Sequence, residues 1–138
     1  MTAKPVISII APIYNEEPVI DELHRRLVEV LETTGETFEM VMVNDGSRDG
    51  STAKLQALQE RDSRVRVVNF ARNFGHQNAV TAGMDFAQGD AVVIIDADLQ
   101  DPPEVILDML EKWHEGFHVV YAVRAERQGE SWFKRVTA

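Results

Sequence analysis

Apolar residues follow two patterns along the chain, and the two patterns alternate. Short runs rich in Val, Ile and Phe, typical of strands, cover residues 6–14, 38–43, 65–70, 91–95 and 117–123. Between these runs apolar residues recur at helical spacing, over residues 19–31, 52–61, 73–87 and 106–113. Strands separated by helices of about 10 to 15 residues predict right-handed crossovers and a mostly parallel sheet with helices on both faces. The predicted fold class is α/β.

Capping residues predict where the helices begin and end. Gly35 suits the C-cap of the first helix. Asn73 is predicted to cap the third helix, whose apolar residues include Val80 and Met84. Asp101, which precedes two prolines, is predicted to cap the fourth.

The most informative segment is Asp96-Ala97-Asp98-Leu99-Gln100, which follows the apolar run of residues 91–95 directly. A run this rich in Val and Ile predicts a central strand buried on both faces. In extended backbone Asp96 and Asp98 point to the same side, and Gln100 follows in register if the extension persists. Two carboxylates and an amide oxygen are ligands suited to Mg²⁺ or Mn²⁺. The alternative is a solvated turn that leads into the next helix.

Polar residues also follow the first two strands. The first strand ends in Pro12-Ile13-Tyr14-Asn15-Glu16 and the second in Asn44-Asp45-Gly46-Ser47. Parallel sheets bind ligands at the carboxyl ends of their strands, so we expect three acidic clusters to converge on one edge. Neither G-x-G-x-x-G nor G-x-x-x-x-G-K-[ST] occurs, which argues against a dinucleotide-binding dehydrogenase or a P-loop NTPase.

A nucleotide can instead be held through its ribose and base. Glu16 and Asp45 are the candidate contacts, with a metal ion neutralising the diphosphate. Tyr14 can pack on the base or belong to the core or rim of the sheet. His76 has no second His or Cys at ligand spacing, and we interpret it as a helix-start or loop residue.

Composition fits one soluble domain. The chain has 138 residues, 44% of them hydrophobic and 27% charged, which is ordinary for a globular protein. No apolar stretch approaches the ~20 residues that span a bilayer, and the N-terminus lacks the pattern of a secretory signal. The absence of cysteine excludes disulfides and thiolate chemistry.

The formal net charge of −9 argues against nucleic acid as a partner, because phosphate backbones are bound by basic surfaces. The C-terminal residues 124–138 differ, since they hold four basic and two acidic side chains. This basic segment can face an anion or can be a solvated terminus.

Four motifs together resemble one known family. They are residues 10–16 (IAPIYNE), 43–47 (VNDGS), 72–75 (RNFG) and 96–104 (DADLQDPPE). In this order they resemble family 2 glycosyltransferases of the GT-A fold. Within that family they are most similar to the polyprenyl-phosphate glycosyltransferases, which include the bactoprenol glucosyltransferases and dolichol-phosphate mannose synthase.

The resemblance implies inverting, metal-dependent transfer of a sugar from a nucleotide sugar, with a UDP-hexose expected, to a membrane polyprenyl phosphate. It implies Asp96, Asp98 and Arg124 as catalytic residues and Mg²⁺ or Mn²⁺ as the cofactor. The implied nucleoside-binding residues are Pro12, Tyr14, Glu16 and Asp45. The implied metal ligands are Asp96, Asp98 and Gln100, and the phosphate or acceptor contacts are Arg124, Lys134 and Arg135.

Members of this family continue past the motifs found here, so we expect residues 1–138 to form a single donor-binding domain, truncated on its C-terminal side. The full-length protein is expected at the cytoplasmic face of the inner membrane, with this segment soluble and homo-oligomerisation left open. Two alternatives remain. One is a non-catalytic nucleotide-binding module. The other is a phospho-accepting receiver-like domain, which would need its phosphorylated Asp after the third strand, where Phe70-Ala71-Arg72 stands.

Overall fold

The structure, a computed structural model, describes residues 4–124 and 131–136, and side chains within residues 4–118. Its residues form two compact units, Met1–Asp101 and Pro102–Ala138. The expectation of one domain over residues 1–138 stays a prediction.

The first unit is a four-stranded parallel sheet with helices. In chain order its elements are β1 (Ile7–Ile13), a short 3-10 turn (Glu17–Val19), α1 (Ile20–Glu32), β2 (Phe38–Asn44), α2 (Ser51–Arg61), β3 (Val65–Asn69), α3 (His76–Phe86) and β4 (Ala91–Ile94). The strands lie in the order β3-β2-β1-β4, all parallel. The predicted α/β fold is confirmed, and the chain order reverses between β1 and β4.

The central strands β1 and β2 are covered on both faces. On one face Ala79 of α3 packs in a buried cluster with Ile10, Val41 and Val43. On the other face Asn44, at the end of β2, donates a hydrogen bond of 2.8 Å from Nδ2 to Oγ1 of Thr52 in α2. Helix α1 packs against α2 and buries the apolar residues whose spacing predicted it: Ile20, Leu23, Leu27, Val30 and Leu31. β1 and β2 are buried on both faces and form the centre of the unit.

The prediction that the β4 segment is a central strand buried on both faces is wrong. β4 lies at the edge of this sheet, and its burial alternates, with Val92 43% and Ile94 44% exposed. Their register partners on β1 are Ser8 and Ile10, so they share the face on which α3 packs. Since α3 packs on β1 and β2, this face of β4 stays open.

The three predicted helix caps are also wrong. α1 ends at Glu32 with Thr33 in the C-cap position, so Gly35 does not cap it. α3 begins at His76 with Gly75 in the N-cap position, so Asn73 does not cap it. Met84 of α3 is 55% exposed and lies outside the core. Glu104, instead of Asp101, occupies the N-cap position of the fourth helix.

The second unit combines that helix, α4 (Val105–His114), with two strands, β5 (Val119–Arg124) and β6 (Ser131–Val136). β5 and β6 pair with each other in antiparallel fashion, with Val119 opposite Val136 and Arg124 opposite Ser131. The prediction that the fifth strand joins the parallel sheet is therefore wrong, and β6 was not predicted. No helix in the described parts of either unit is long and apolar enough to cross a bilayer.

A buried network of hydrogen bonds and one ion pair connects the strands of the first unit near their amino ends. The carboxylate of Glu39 on β2 accepts hydrogen bonds from Ser8 Oγ (2.6 Å), the Gln88 amide (2.7 Å) and Arg66 Nη1 (2.8 Å). Burial alone would raise the pKa of Glu39, but these three hydrogen bonds and the charge of Arg66 together lower it. The network joins three strands to the loop before β4.

We predict that Glu39→Gln lowers the free energy of unfolding by about 1 to 3 kcal/mol at pH 7, because an amide cannot accept from all three donors. The lowered pKa makes the carboxylate stabilising above pH 4.5, its ordinary value, and that stabilisation is lost as the pH falls through the folded-state pKa. The difference between wild type and variant should therefore narrow in acid. Urea unfolding from pH 7 to pH 3 measures it.

The matched control for this prediction is Glu29→Gln, which makes the same change at an exposed α1 position paired with Arg25. It should alter stability by less than about 0.5 kcal/mol. A pH-independent difference between wild type and Glu39→Gln would contradict the prediction.

Candidate functional site

An open cavity of about 290 Å³ lies at the carboxyl ends of the strands in the first unit, where the chain order reverses. It is lined by Pro12, Ile13, Tyr14, Glu16, Asp45, Asn73, Gly75, His76, Asp96, Ala97 and Asp98. The structure thus brings together six of the residues that the sequence singled out, from the ends of β1, β2 and β4. Their individual roles stay predictions.

Asp96 and Asp98 reach this cavity from a turn. β4 ends at Ile94, although the Ile95 amide still donates to the Ile10 carbonyl at 3.0 Å. Residues 97 and 98 form a turn, and Leu99 has a positive φ of 62°. Ala97 between the two acids is buried and fixes the turn to the core, while both carboxylates stay exposed. The two acids therefore share the cavity although the strand geometry that predicted it has ended.

The same turn removes the geometric reason for predicting Gln100 as a metal ligand. Its predicted place in register with Asp96 and Asp98 required extended backbone through Leu99, which the positive φ breaks. Gln100 does not line the cavity. Its main-chain amide donates a hydrogen bond to Asp98 Oδ1 at 3.1 Å. Its metal-binding role stays a prediction that this geometry does not favour.

The carboxylates of the cavity repel one another. Partial burial raises the pKa of Glu16, and the negative charges of Asp98 and Asp49 raise it further. Within residues 4–118 no three His, Asp or Glu side chains are grouped closely enough to hold a metal ion on their own. Two carboxylates in an open, acidic cavity nevertheless suit Mg²⁺ or Mn²⁺, which bind through one or two carboxylates and complete their shell with water and substrate phosphates. The residues present fit such an ion.

Asp45, by contrast, is already engaged by its own protein. The residue is 3% exposed. Its Oδ1 accepts a hydrogen bond of 2.7 Å from the Phe74 amide, and its Oδ2 accepts from the Gly75 amide (3.1 Å) and from Asn73 Nδ2 (3.2 Å). The carboxylate thereby joins the end of β2 to the loop that precedes α3.

The loop after β1 is joined to the loop after β2 in a similar way. Asn15 has a positive φ of 52°. Its main-chain amide donates a hydrogen bond to Ser47 Oγ at 3.0 Å, and its side-chain Oδ1 accepts one from the main-chain amide of Arg48 at 2.8 Å. Two residues later, Glu17 Oε1 accepts from the Gly50 amide at 2.8 Å. The three loops around the cavity therefore form one hydrogen-bonded assembly.

A second cavity, of about 340 Å³, adjoins the first and shares Tyr14 and Asn73 with it. Its lining includes Arg48 and Arg72, and the Arg72 guanidinium stacks 3.9 Å from the ring centroid of Phe74. The first cavity is rich in carboxylates, whereas this one carries cationic and neutral polar side chains. The two differ in charge but meet at the 43%-exposed ring of Tyr14.

Sequence reasoning gave no site role to several lining residues. His76 is a helix-start residue as interpreted, yet its Nε2 also lies 3.9 Å from Asp96 Oδ1 in the cavity. Asn73 and Gly75 line the first cavity and Arg72 the second. The RNFG motif that contains three of these residues was the available signal.

The predicted acceptor-side residues lie in the second unit. Arg124 ends β5, while Lys134 and Arg135 of β6 pair with Tyr121 and Val120. Their side chains lie outside the described residues, so their roles stay predictions.

A family model for glycosyl transferase family 2 matches residues 8–137. The chain belongs to glycosyltransferase family 2. The motifs that suggested this family from the sequence are those that surround the two cavities.

Curated relatives within the family are similar over almost the whole chain. The glycosyltransferase YkcC of Bacillus subtilis is 59% identical over 95% of this chain and 41% of its own length. An undecaprenyl-phosphate 4-deoxy-4-formamido-L-arabinose transferase of Pseudomonas aeruginosa is 45% identical, over 92% and 38%. A bactoprenol glucosyl transferase of Shigella phage SfV is 42% identical, over 96% and 43%. The chain therefore spans about two-fifths of the length of these relatives.

Two solved structures share the fold of this family 2 chain. TarS 1–349 of S. aureus, in complex with UDP, aligns with a TM-score of 0.62 at 26% identity, covering 80% of this chain and 32% of TarS. The mannosyltransferase PcManGT of Pyrobaculum calidifontis, in complex with GDP-Man and Mn²⁺, aligns with a TM-score of 0.58 at 28% identity, covering 70% and 28%.

We predict that Asp98→Asn lowers the pKa of Glu16, because it removes one of the negative charges that raise it. The pKa should stay above its ordinary value, since partial burial is the larger cause. Carboxyl-carbon NMR titration measures the shift. Asp90→Asn, the same change at the exposed partner of Lys4, should leave Glu16 unaffected. An unchanged pKa of Glu16 in the Asp98→Asn variant would show that the two carboxylates do not interact.

Proposed function

We propose that this chain is the donor-binding part of an enzyme that transfers a sugar from a UDP-sugar to a polyprenyl phosphate. The observation that carries the proposal is the pairing of Asp96 and Asp98 with Tyr14 and Glu16 in one cavity, in a chain of glycosyltransferase family 2. The polyprenyl acceptor is proposed because one similar protein is named an undecaprenyl-phosphate transferase and another a bactoprenol glucosyl transferase.

The two cavities suit the two ends of a nucleoside diphosphate. We assign the base and ribose to the side of Tyr14, Pro12 and Glu16, with the cationic cavity beyond, and the diphosphate to the side of Asp96 and Asp98. The ring of Tyr14 is exposed enough to pack on a base. The complexes of the similar structures with UDP and with GDP-Man support a nucleotide as the ligand.

Asp96 and Asp98 would hold a divalent ion. When bound, Mg²⁺ or Mn²⁺ neutralises the negative charge that grows on the departing diphosphate. The Mn²⁺ in the PcManGT complex supports this choice of cofactor. Without a cation the two carboxylates, together with Glu16, would repel the diphosphate.

The proposed reaction is a direct displacement with inversion. A phosphate oxygen of the acceptor forms a bond to the anomeric carbon, and the bond from that carbon to the diphosphate oxygen breaks. The acceptor is largely ionised at neutral pH, since its second pKa is about 6, so the chain needs no strong general base. The demands on the protein are positioning and charge stabilisation, for which we propose Arg124, Lys134 and Arg135 on the acceptor side at the cytoplasmic face of the membrane.

The second candidate function is nucleotide binding without catalysis by the 138 residues alone. It is favoured by the chain's coverage of only about two-fifths of its relatives. Turnover of a UDP-sugar with a polyprenyl phosphate separates the two candidates. The receiver-like alternative lacks support, because residues 70–75, which directly follow β3, contain no carboxylate and the chain belongs to another family.

We predict that the chain binds UDP in the presence of Mn²⁺ or Mg²⁺ and at least about tenfold more weakly in EDTA, measured by titration calorimetry. Asp98→Asn should remove most of the metal dependence and leave the circular dichroism spectrum unchanged, because an exposed carboxylate contributes little to the core. Asp90→Asn, at the amino end of β4 and so at the opposite end of the sheet, should bind like wild type. Equal affinity with and without EDTA would remove the metal from the proposal.

We predict that Arg124→Ala, in a longer protein that includes this chain, lowers kcat/KM for polyprenyl phosphate much more than it weakens UDP binding. The reason is that a cation at the acceptor side stabilises the attacking phosphate and leaves the nucleoside contacts intact. Steady-state kinetics with varied acceptor provide the measurement. Arg61→Ala, which removes an exposed arginine paired with Asp21 on α1, is the control and should change neither quantity. Equal losses in both would assign Arg124 to the donor diphosphate.

A further inference from the structure

We propose that His76 is a binding residue for the diphosphate of the donor: its imidazole ring donates a hydrogen bond to a phosphate oxygen bound beside Asp96. This inference rests on the proposed function, which assigns the diphosphate to the side of the first cavity formed by Asp96 and Asp98. It gives a chemical role to a residue that the sequence pattern marked only as a helix-start or loop residue.

The first cavity offers a diphosphate many acceptors and few donors. Four carboxylates line it, those of Glu16, Asp45, Asp96 and Asp98, and its described lining contains no Lys or Arg. A diphosphate presents only acceptor oxygens, so besides a cation it needs N–H or O–H donors from the protein. Within this lining His76 is the one side chain that can carry a positive charge.

The side-chain donors of the described lining are those of Tyr14, Asn73 and His76. Asn73 Nδ2 already donates to the main-chain carbonyl and to the carboxylate of Asp45, both at 3.2 Å. Tyr14 lies on the side of the cavity that we assign to the base. His76 is therefore the donor that remains for the diphosphate.

The ring of His76 lies beside Asp96 but makes no hydrogen bond with it. Its Nε2 is 3.9 Å from Asp96 Oδ1, which is longer than a hydrogen bond, and the two side chains are 62% and 59% exposed. The ring can donate from Nε2 when it is protonated, and also when it is neutral with its proton on that nitrogen. A diphosphate on this side of the cavity comes within reach of a donor that no carboxylate has taken.

The backbone of His76 is held on both sides. The preceding Gly75 donates its amide to Asp45 Oδ2 at 3.1 Å, and its carbonyl accepts from the Ala79 amide at 3.1 Å. Ala79 is itself buried in the cluster that contains Ile10. Binding therefore has to order only the side-chain torsions of His76, which keeps the entropic cost of the contact small.

The first experiment measures nucleotide affinity by titration calorimetry with Mg²⁺. His76→Leu, which removes the ring donor and keeps a side chain of moderate size, should weaken UDP binding about tenfold. It should leave the affinity for uridine, measured by displacement of UDP, unchanged because uridine has no phosphate. His76→Gln, which retains an N–H donor, should bind UDP within about threefold of wild type.

The matched control is Gln77→Leu, which removes a polar side chain from the next position of α3. Gln77 is exposed and does not line the first cavity, so this variant should bind UDP like wild type. Thermal melts establish that each variant is folded. Equal UDP affinity in wild type and His76→Leu would overturn the proposal, as would an equal loss of UDP and uridine affinity.

The second experiment observes the ring directly by NMR of the imidazole nitrogens. The chain has four histidines, and the signals of His76 are those missing from His76→Gln. The Nε2 signal of His76 should shift when UDP and Mg²⁺ are added together, and should stay in place with Mg²⁺ alone or with Mg²⁺ and uridine. A shift complete with Mg²⁺ alone would show that His76 responds to the cation and would overturn the proposal.

The two experiments also separate this inference from the proposed function. If wild type binds UDP with Mg²⁺ but the Nε2 signal of His76 does not move, the proposed function stands and the role of His76 is overturned. If wild type binds no UDP, the proposed function fails for this chain, and the role of His76 fails with it.

Discussion

The buried carboxylate of Asp45 is the interaction on which the carboxyl edge of the sheet depends. A charge removed from water is costly unless hydrogen bonds replace its hydration, and here two backbone amides and one side-chain amide do so. These donors come from residues 73–75. The hydrogen bonds that the buried carboxylate requires therefore hold this loop against the end of β2. Asn15 makes the corresponding connection between the loops after β1 and β2. The loops at this edge are consequently joined to one another by hydrogen bonds within the protein itself.

The acidic residues of the first unit fall into two groups with different surroundings. Asp45 and Glu39 are buried, and donors from neighbouring elements satisfy their carboxylates at opposite ends of the sheet. Asp96 and Asp98 are exposed, and the charge of Asp98 adds to the effect of burial, which is the larger cause of the raised pKa of Glu16. Satisfied carboxylates join structural elements, whereas carboxylates that repel one another in a cavity favour a cation. The surroundings, more than the residue type, separate structural from functional acids in this protein.

Sequence periodicity predicted the sheet because its central strands are buried on both faces, which makes β1 and β2 read as continuous apolar runs. The same reasoning failed for β4, since a strand of like composition lies at an edge and only its neighbours decide that. The cavity could be predicted from polar residues at strand ends. Its details could not, because the positive φ of Leu99 and the capture of Asn73 by Asp45 depend on local backbone and on contacts 28 residues apart. β6 was not predicted because no helix-like segment separates it from β5 in the sequence, and such segments were the features that marked the other strands.

The contrast between the two cavities bears on how a nucleoside diphosphate would enter. The cavity that contains Arg48 and Arg72 presents no repulsion to a nucleoside, whereas the neighbouring one presents Asp96, Asp98 and Glu16 to a diphosphate. Because like charges repel, the acidic cavity would bind a diphosphate more weakly without a cation than with one. Tyr14, shared by both cavities, lies where the two requirements meet. In the proposed function the cavity with Arg48 and Arg72 therefore contacts the nucleoside, whereas the acidic cavity binds the diphosphate together with a metal ion. The hydrogen-bonded loops around Asp45 hold the two cavities side by side.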